Sequence, residues 1–113
     1  MSGVIPIPRT LLPHTATIEE RDTSSRYDGV YHEPVTYQYV RLEPAESMRK
    51  AGYQLAPQTT GILFIDAVTT KPGAKPGEGA RVVCEGITGY VDTVSTFYAF
   101  GTKPHHWEVH LRG

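Results

Sequence analysis

A chain of 113 residues has room for one domain around one core. Its 11 basic and 12 acidic side chains nearly cancel, to a net charge of −1, which gives neither the basic footprint of a nucleic-acid groove nor the acidic excess of a solvating tail. A single cysteine rules out an intrachain disulfide, and no segment approaches the ~20 apolar residues of a membrane-spanning helix. The opening MSGVIPIPRT lacks the apolar centre of a secretory signal, so a protein made in the cytoplasm is expected.

Residues 1–13 carry Pro6, Pro8 and Pro13. Proline fixes φ and removes an N–H donor, which predicts an extended, irregular arm. Val4, Ile5, Ile7, Leu11 and Leu12 of this arm need burial, either on its own domain or on a neighbouring subunit. The first strand is read at 14–19, where Ala16 and Ile18 alternate with threonines and a glutamate. A second, at 35–42, is rich in β-branched and aromatic residues, and the spacing puts Tyr37 and Tyr39 on one face. Between them, Asp28-Gly29 has the composition of a hairpin turn.

Residues 44–60 read as a long loop. Two helical turns at most fit within 44–56, with Glu46 and Lys50 spaced to pair at i,i+4, because Gly52 and Pro57 interrupt them. A third strand, 61–68, is almost continuously apolar and should be buried on both sides. Composition alone makes 71–77 a loop. The stretch 80–98 should hold two strands folded at Gly86 to Gly89, with Cys84 a small buried strand residue rather than a reactive thiol. The last strand, 106–111, alternates most cleanly: Trp107, Val109 and Leu111 inward, His106, Glu108 and His110 outward. Together these predict an all-β fold, a small single-domain barrel or sandwich over 14–113 with an extended N-terminal arm and a long loop at 44–60.

The residues offer little for catalysis. No Gly-x-Ser-x-Gly elbow is present, and Gly77-Glu78-Gly79 leads into a strand and carries an acid that would repel phosphate. His105, His106, Glu108 and His110 form the best candidate metal cluster. Residues two apart on a strand lie ~7 Å from one another, so they would converge on one ion only with help from another strand, from His14 or His32. A solvated polar face is the expected reading, with no metal and no cofactor. The seven tyrosines could stack bases in a single-strand-binding barrel, but basic residues do not interleave with them beyond Arg41; core or interface roles are expected.

The order of these features resembles a family: the short minor capsid, or head-closure, proteins of tailed phages. The resemblance runs through Ile7-Pro8-Arg9-Thr10-Leu11-Leu12-Pro13-His14-Thr15-Ala16-Thr17, Glu33-Pro34-Val35, Val40-Arg41-Leu42-Glu43-Pro44, Gly61-Ile62-Leu63-Phe64-Ile65-Asp66, Gly79-Ala80-Arg81-Val82-Val83 and His105-His106-Trp107-Glu108-Val109-His110-Leu111. Gly86-Ile87-Thr88-Gly89-Tyr90 departs from it, since similar proteins have a polar hairpin before an aromatic there. The resemblance implies a non-enzymatic ring subunit of the virion neck, located in the host cytoplasm before assembly. It implies contact with the portal and adaptor complex, with the tail or its terminator protein, and with packaged double-stranded DNA in the channel, no membrane association, and a subunit that is monomeric when isolated. It also implies a small β-barrel whose long loop projects toward the channel. Candidate interface and channel residues are Met48, Arg49, Lys50, Tyr53 and Leu55 of the loop and Ile5 and Ile7 of the arm; residues 46–56 are expected to order on assembly. A tail-completion or other neck subunit is the alternative in the same particle, and a single-stranded nucleic-acid-binding barrel the alternative from another class.

Overall fold

The computed structural model describes residues 5–24, 26–27, 29–99 and 101–113. Val4 of the arm and Asp28 of the expected turn lie outside them. Six strands form: β1 (His14–Glu19), β2 (Val35–Pro44), β3 (Thr59–Asp66), β4 (Arg81–Cys84), β5 (Ile87–Phe97) and β6 (His106–Arg112). They close into an antiparallel barrel in the order β1-β2-β3-β6-β5-β4, with β4 pairing back onto β1. Closure gives every strand a partner on each side, although β5 runs past β4 and the start of β2 lies beyond β3, so short stretches of both pair on one side only.

The alternation that defines each strand also fills the barrel. Ile18, Leu63, Ile65, Val82, Val109 and Leu111 are among the buried core residues, and Trp107 lies with them at 7 % exposure. Each such aliphatic side chain contributes roughly 1.5–3 kcal/mol by leaving water. β3 is buried on both faces, as its composition predicts, but it starts and ends two residues before the expected 61–68, so Ala67 and Val68 fall in the turn after it and Val68 is 61 % exposed. Leu63 and Ile65 face the interior, while Ile62, outside that cluster, is also buried on a strand packed against the helix described next.

Two further strand readings need correction. Tyr37 and Tyr39 do not share a face. Tyr39 is a bulge residue with φ 62°, skipped by the β1–β2 ladder, which pairs Thr15 with Gln38 and His14 with Val40. The extra residue shifts the phase, so Tyr37, Val40 and Leu42 point inward and Tyr39 is left outside the core. Beside the bulge, His14 Nδ1 accepts the Leu42 N–H at 2.9 Å. The β4–β5 turn also comes earlier than expected, at Glu85-Gly86, closed by the pair Cys84 and Ile87. Both turn residues have positive φ, 51° and 75°, the backbone of a tight I′ hairpin that suits glycine at its second position.

In the β1–β2 connection Arg21 and Tyr31 form an isolated antiparallel bridge. The Asp22 N–H donates to the Val30 carbonyl and the His32 N–H to the Glu20 carbonyl, both at 2.8 Å, and Gly29 turns with φ +78°. The segment read as a long loop contains a helix, α1 (Ala45–Lys50), packed against β2 and β3. Its end is a Schellman motif: the Tyr53 N–H reaches the Met48 carbonyl at 3.0 Å, the Gly52 N–H reaches the Arg49 carbonyl at 3.0 Å, and Gly52 has φ +98°. Gly52→Ala is expected to cost about 1 kcal/mol, because a Cβ strains that left-handed backbone; a urea midpoint lowered without a change of slope would show it.

Candidate functional site

The arm is not free. It makes a short helical turn at Arg9–Leu11 and packs on its own barrel, where Leu12 is 2 % exposed. Asp66, at the end of β3, anchors it. The Ile7 N–H donates to Asp66 Oδ1 at 3.0 Å, and the Val68 and Thr69 N–H groups donate to Oδ2 at 2.9 and 2.8 Å. The Thr69 hydroxyl returns a bond to the Ile7 carbonyl at 2.6 Å. Burial pushes the Asp66 carboxyl up, but the N–H bonds from Thr69, Ile7 and Val68, with the nearby His105, outweigh it and hold the group below its usual value. Arg9 completes the docking by lying over the Tyr39 ring, 4.4 Å from its centroid. The expected strand at 61–68 places Asp66 inside it; an aspartate can close an Asx turn on the N–H groups that follow it, but the apolar Ala67-Val68 after it masks that turn in the sequence.

Docking the arm beside α1 leaves a groove of about 400 Å³ on the outer wall of β2 and β3. Ile7, Leu11 and Leu12 line it from the arm, Met48, Ala51 and Tyr53 from the helix and its cap, and Phe64 from β3. Arg41 and Glu43, paired with each other, and Ser47 supply the polar part of its lining. Leu11 and Tyr53 are 52 % and 60 % exposed, so apolar surface remains open to a partner.

Of the residues singled out from sequence, Ile7, Met48 and Tyr53 meet in this groove. The others do not. Ile5 is 81 % exposed, and its carbonyl lies 3.0 Å from His105 Nε2. Leu55 is half-buried and does not line the groove. Arg49 Nη2 donates to the Ala56 and Thr59 carbonyls at 2.7 and 3.3 Å, clamping the connection to β3. Lys50 pairs with Glu46 at 3.2 Å on the solvent side.

The chemical alternatives are poorly served. Among the described residues no group of three or more His, Cys, Asp or Glu side chains is arranged to hold a metal ion. Cys84 is buried in the barrel, and burial, with Glu85 next to it, pushes its thiol up to about 11. It is therefore expected to resist thiol reagents at pH 8 in the native protein and to react at once in denaturant; rapid native labelling would contradict its place in the core. Tyr37 is a core residue, its hydroxyl pushed up by burial and then by Glu20. Three more tyrosines have a ring face covered by an arginine of the chain: Tyr39 by Arg9, Tyr31 by Arg81 and Tyr90 by Arg112. No helix among the described residues is long and apolar enough to cross a membrane.

Compared with known proteins, residues 8–111 match a family model described as minor capsid protein. No curated protein and no solved structure matches the chain.

Proposed function

The chain belongs to the minor capsid protein family, structural proteins of the phage virion, and from that membership we propose that it is a ring subunit of the neck. In this reading it seats beneath the portal and adaptor complex, closes the channel behind packaged DNA and presents the surface on which the tail docks. The observation that carries the reading is the groove between arm, α1 and the outer wall of β2 and β3: an apolar surface built by three separate segments on a barrel that is otherwise closed. A patch on one subunit meeting a different patch on the next is a heterologous contact, which closes into a ring when the rotation between subunits closes. Burial of the order of 800 Å² per partner suffices for a specific one.

The charge pattern supports closure by steric filling rather than by adhesion to DNA. The net charge is −1, Arg49 is committed to backbone carbonyls, and Lys50 is paired with Glu46. In a low-salt gel shift the isolated subunit is accordingly expected to leave single-stranded DNA unshifted; tight binding that salt abolishes would favour the nucleic-acid-binding barrel instead.

A nonsense mutation in the phage tests the role. Expected are tailless heads that lose their DNA after packaging, with purified subunit restoring both properties. Heads that keep their DNA but carry no tail would assign the chain to tail completion. Intact infectious virions would contradict a neck role altogether.

A further inference from the structure

The barrel is closed along its middle but not at every end. β4 follows β5 only from Ile87 to Tyr90, with one more rung where Ala80 meets Val91, whereas β6 follows β5 on its other side out to Phe97. A bulge at Asp92, which the β5–β6 ladder skips, marks where the two sides part. Beyond it the ladder gives the direction of each peptide. The Val91 N–H donates to the Ala80 carbonyl on the β4 side, and the Phe97 carbonyl accepts the His105 N–H on the β6 side. Alternate residues of a strand turn their N–H and C=O groups to opposite neighbours. Counting back from Phe97, Ser95 and Thr93 face β6, while Val94 and Thr96 face the side that β4 has left. Their backbone N–H and C=O groups meet no hydrogen-bond partner among the described residues.

The start of β2 is open in the same way. Gln38 exchanges both of its backbone bonds with Lys71 on the β3 side, at 2.9 and 3.0 Å. Thr36, two residues earlier, turns its N–H and C=O to that side as well. β3 has already ended at Asp66, so Thr36 meets no partner there among the described residues. In the strand order β2 and β5 stand three places apart in a barrel of six, so the two openings lie on opposite walls. Three successive antiparallel pairings link them, which brings the start of β2 and the end of β5 to the same end of the barrel.

Solvent-exposed edges are ordinarily guarded by lysine, proline or an inward charge that discourages pairing. The run Thr93-Val94-Ser95-Thr96-Phe97-Tyr98 has no charge and no proline, and most of it is β-branched or aromatic. On β2 the opening is a single rung, bounded by Pro34. Exposed apolar side chains flank both openings, Phe97 and Tyr98 on β5 and Val35 on β2.

We propose that the open edge of β5 receives the open start of β2 from a second copy of the chain, so that the sheet runs on from one subunit into the next. A second copy is the occupant that the chain itself supplies, because each subunit carries both halves of the contact on opposite walls. Main-chain bonds set the pairing, and the flanking apolar side chains add burial. Each copy gives one edge and receives at the other, a heterologous contact that closes into a ring when the rotation between subunits closes. The inference deepens the ring reading and rests on it for its place in the particle, but the contact needs only a second copy.

The test is cross-linking with a short bismaleimide, applied to the purified full chain at millimolar concentration and to assembled particles, with cysteines placed at Val35 and Ser95. Buried Cys84 takes no part. The double variant Val35→Cys/Ser95→Cys should give a ladder of dimers, trimers and larger species, and each single variant should stay monomeric. Adding Thr96→Pro removes an N–H that no bond within the subunit uses, and the ladder should fall about tenfold. Adding Thr93→Lys instead guards the edge with a charge and leaves the backbone alone, so an equal fall there makes the result independent of any strain from the proline. Dimers from Ser95→Cys alone, a ladder indifferent to both added substitutions, or monomers only in solution and in particles would overturn the pairing. Monomers only, from particles whose neck contains the chain, would leave the neck reading standing; a ladder in solution from a chain absent from the neck would do the reverse.

Discussion

Asp66→Ala is expected to lower folding stability by about 3 kcal/mol, because it leaves three partly buried N–H donors without their charged acceptor. The carboxylate is fully buried, and three N–H groups from two separate segments converge on it. Two belong to its own turn, and the third is the arm's Ile7. The loss therefore loosens the end of β3 and undocks the arm together. For a domain of this size the melting temperature should fall on the order of 12 °C. The pH dependence separates this account from simple loss of packing. The carboxyl lies below its unfolded value, so its contribution is complete above about pH 4, where the unfolded group is ionised, and is lost as pH falls through the lower folded value. Urea midpoints measured from pH 7 down to pH 2 should show that acid loss in the parent chain. In Asp66→Asn the loss should be smaller by the share this group contributes. Equal acid sensitivity in the two proteins would show that Asp66 is not the anchor.

Met48→Glu is expected to have the largest effect on assembly while leaving the fold nearly intact. Met48 is half-buried in the groove wall, so placing a carboxylate there should cost the isolated subunit no more than about 1 kcal/mol. In an assembled contact the same charge would be desolvated against Leu11, Tyr53 and Phe64. A central apolar residue lost from an interface costs about 2 kcal/mol or more, roughly 30-fold in affinity for each contact, and the loss recurs at each subunit interface of a ring. Incorporation into particles and plaque yield should therefore fall steeply, while the urea midpoint scarcely moves. Lys50→Glu on the solvent side of α1 is the control, and it should assemble normally. Normal incorporation of Met48→Glu would remove the groove from the account.

Much of the barrel was legible in the sequence, because strict alternation leaves a strand little freedom. β1 occupies the residues expected of it, and β6 runs one residue further than expected. β2 shows where alternation misleads. Its apolar positions jump from Tyr37 to Val40 and Leu42, and that change of phase was itself the mark of the bulge at Tyr39. The stretch Ala45-Glu46-Ser47-Met48-Arg49-Lys50 is made of good helix formers followed by Gly52, but its length was read as a loop. Arg49 was read as a candidate interface or channel residue of that loop, whereas the chain after the Schellman turn brings the Ala56 carbonyl onto its guanidinium.

The groove was legible only in pieces. Ile7, Met48 and Tyr53 stood out as apolar residues in segments without a strand to bury them. Nothing local said that they would meet one another and Phe64, because their meeting depends on Asp66 holding the arm against β3 and on α1 lying across β2. The open edge of β5 was hidden for a similar reason. The uncharged run from Thr93 to Tyr98 reads as strand, and only the early start of the β4 ladder at Arg81 leaves one side of it without a partner.

The central claim is that this polypeptide acts by occupying a place in the phage neck through contacts of its arm, its helix and its barrel wall. A particle map of the neck tests it most directly. The account predicts a ring of closed six-stranded barrels between head and tail, with the arm and α1 of each subunit buried against a neighbour. Density for this chain elsewhere in the virion, or a ring in which the groove faces open solvent, would contradict it.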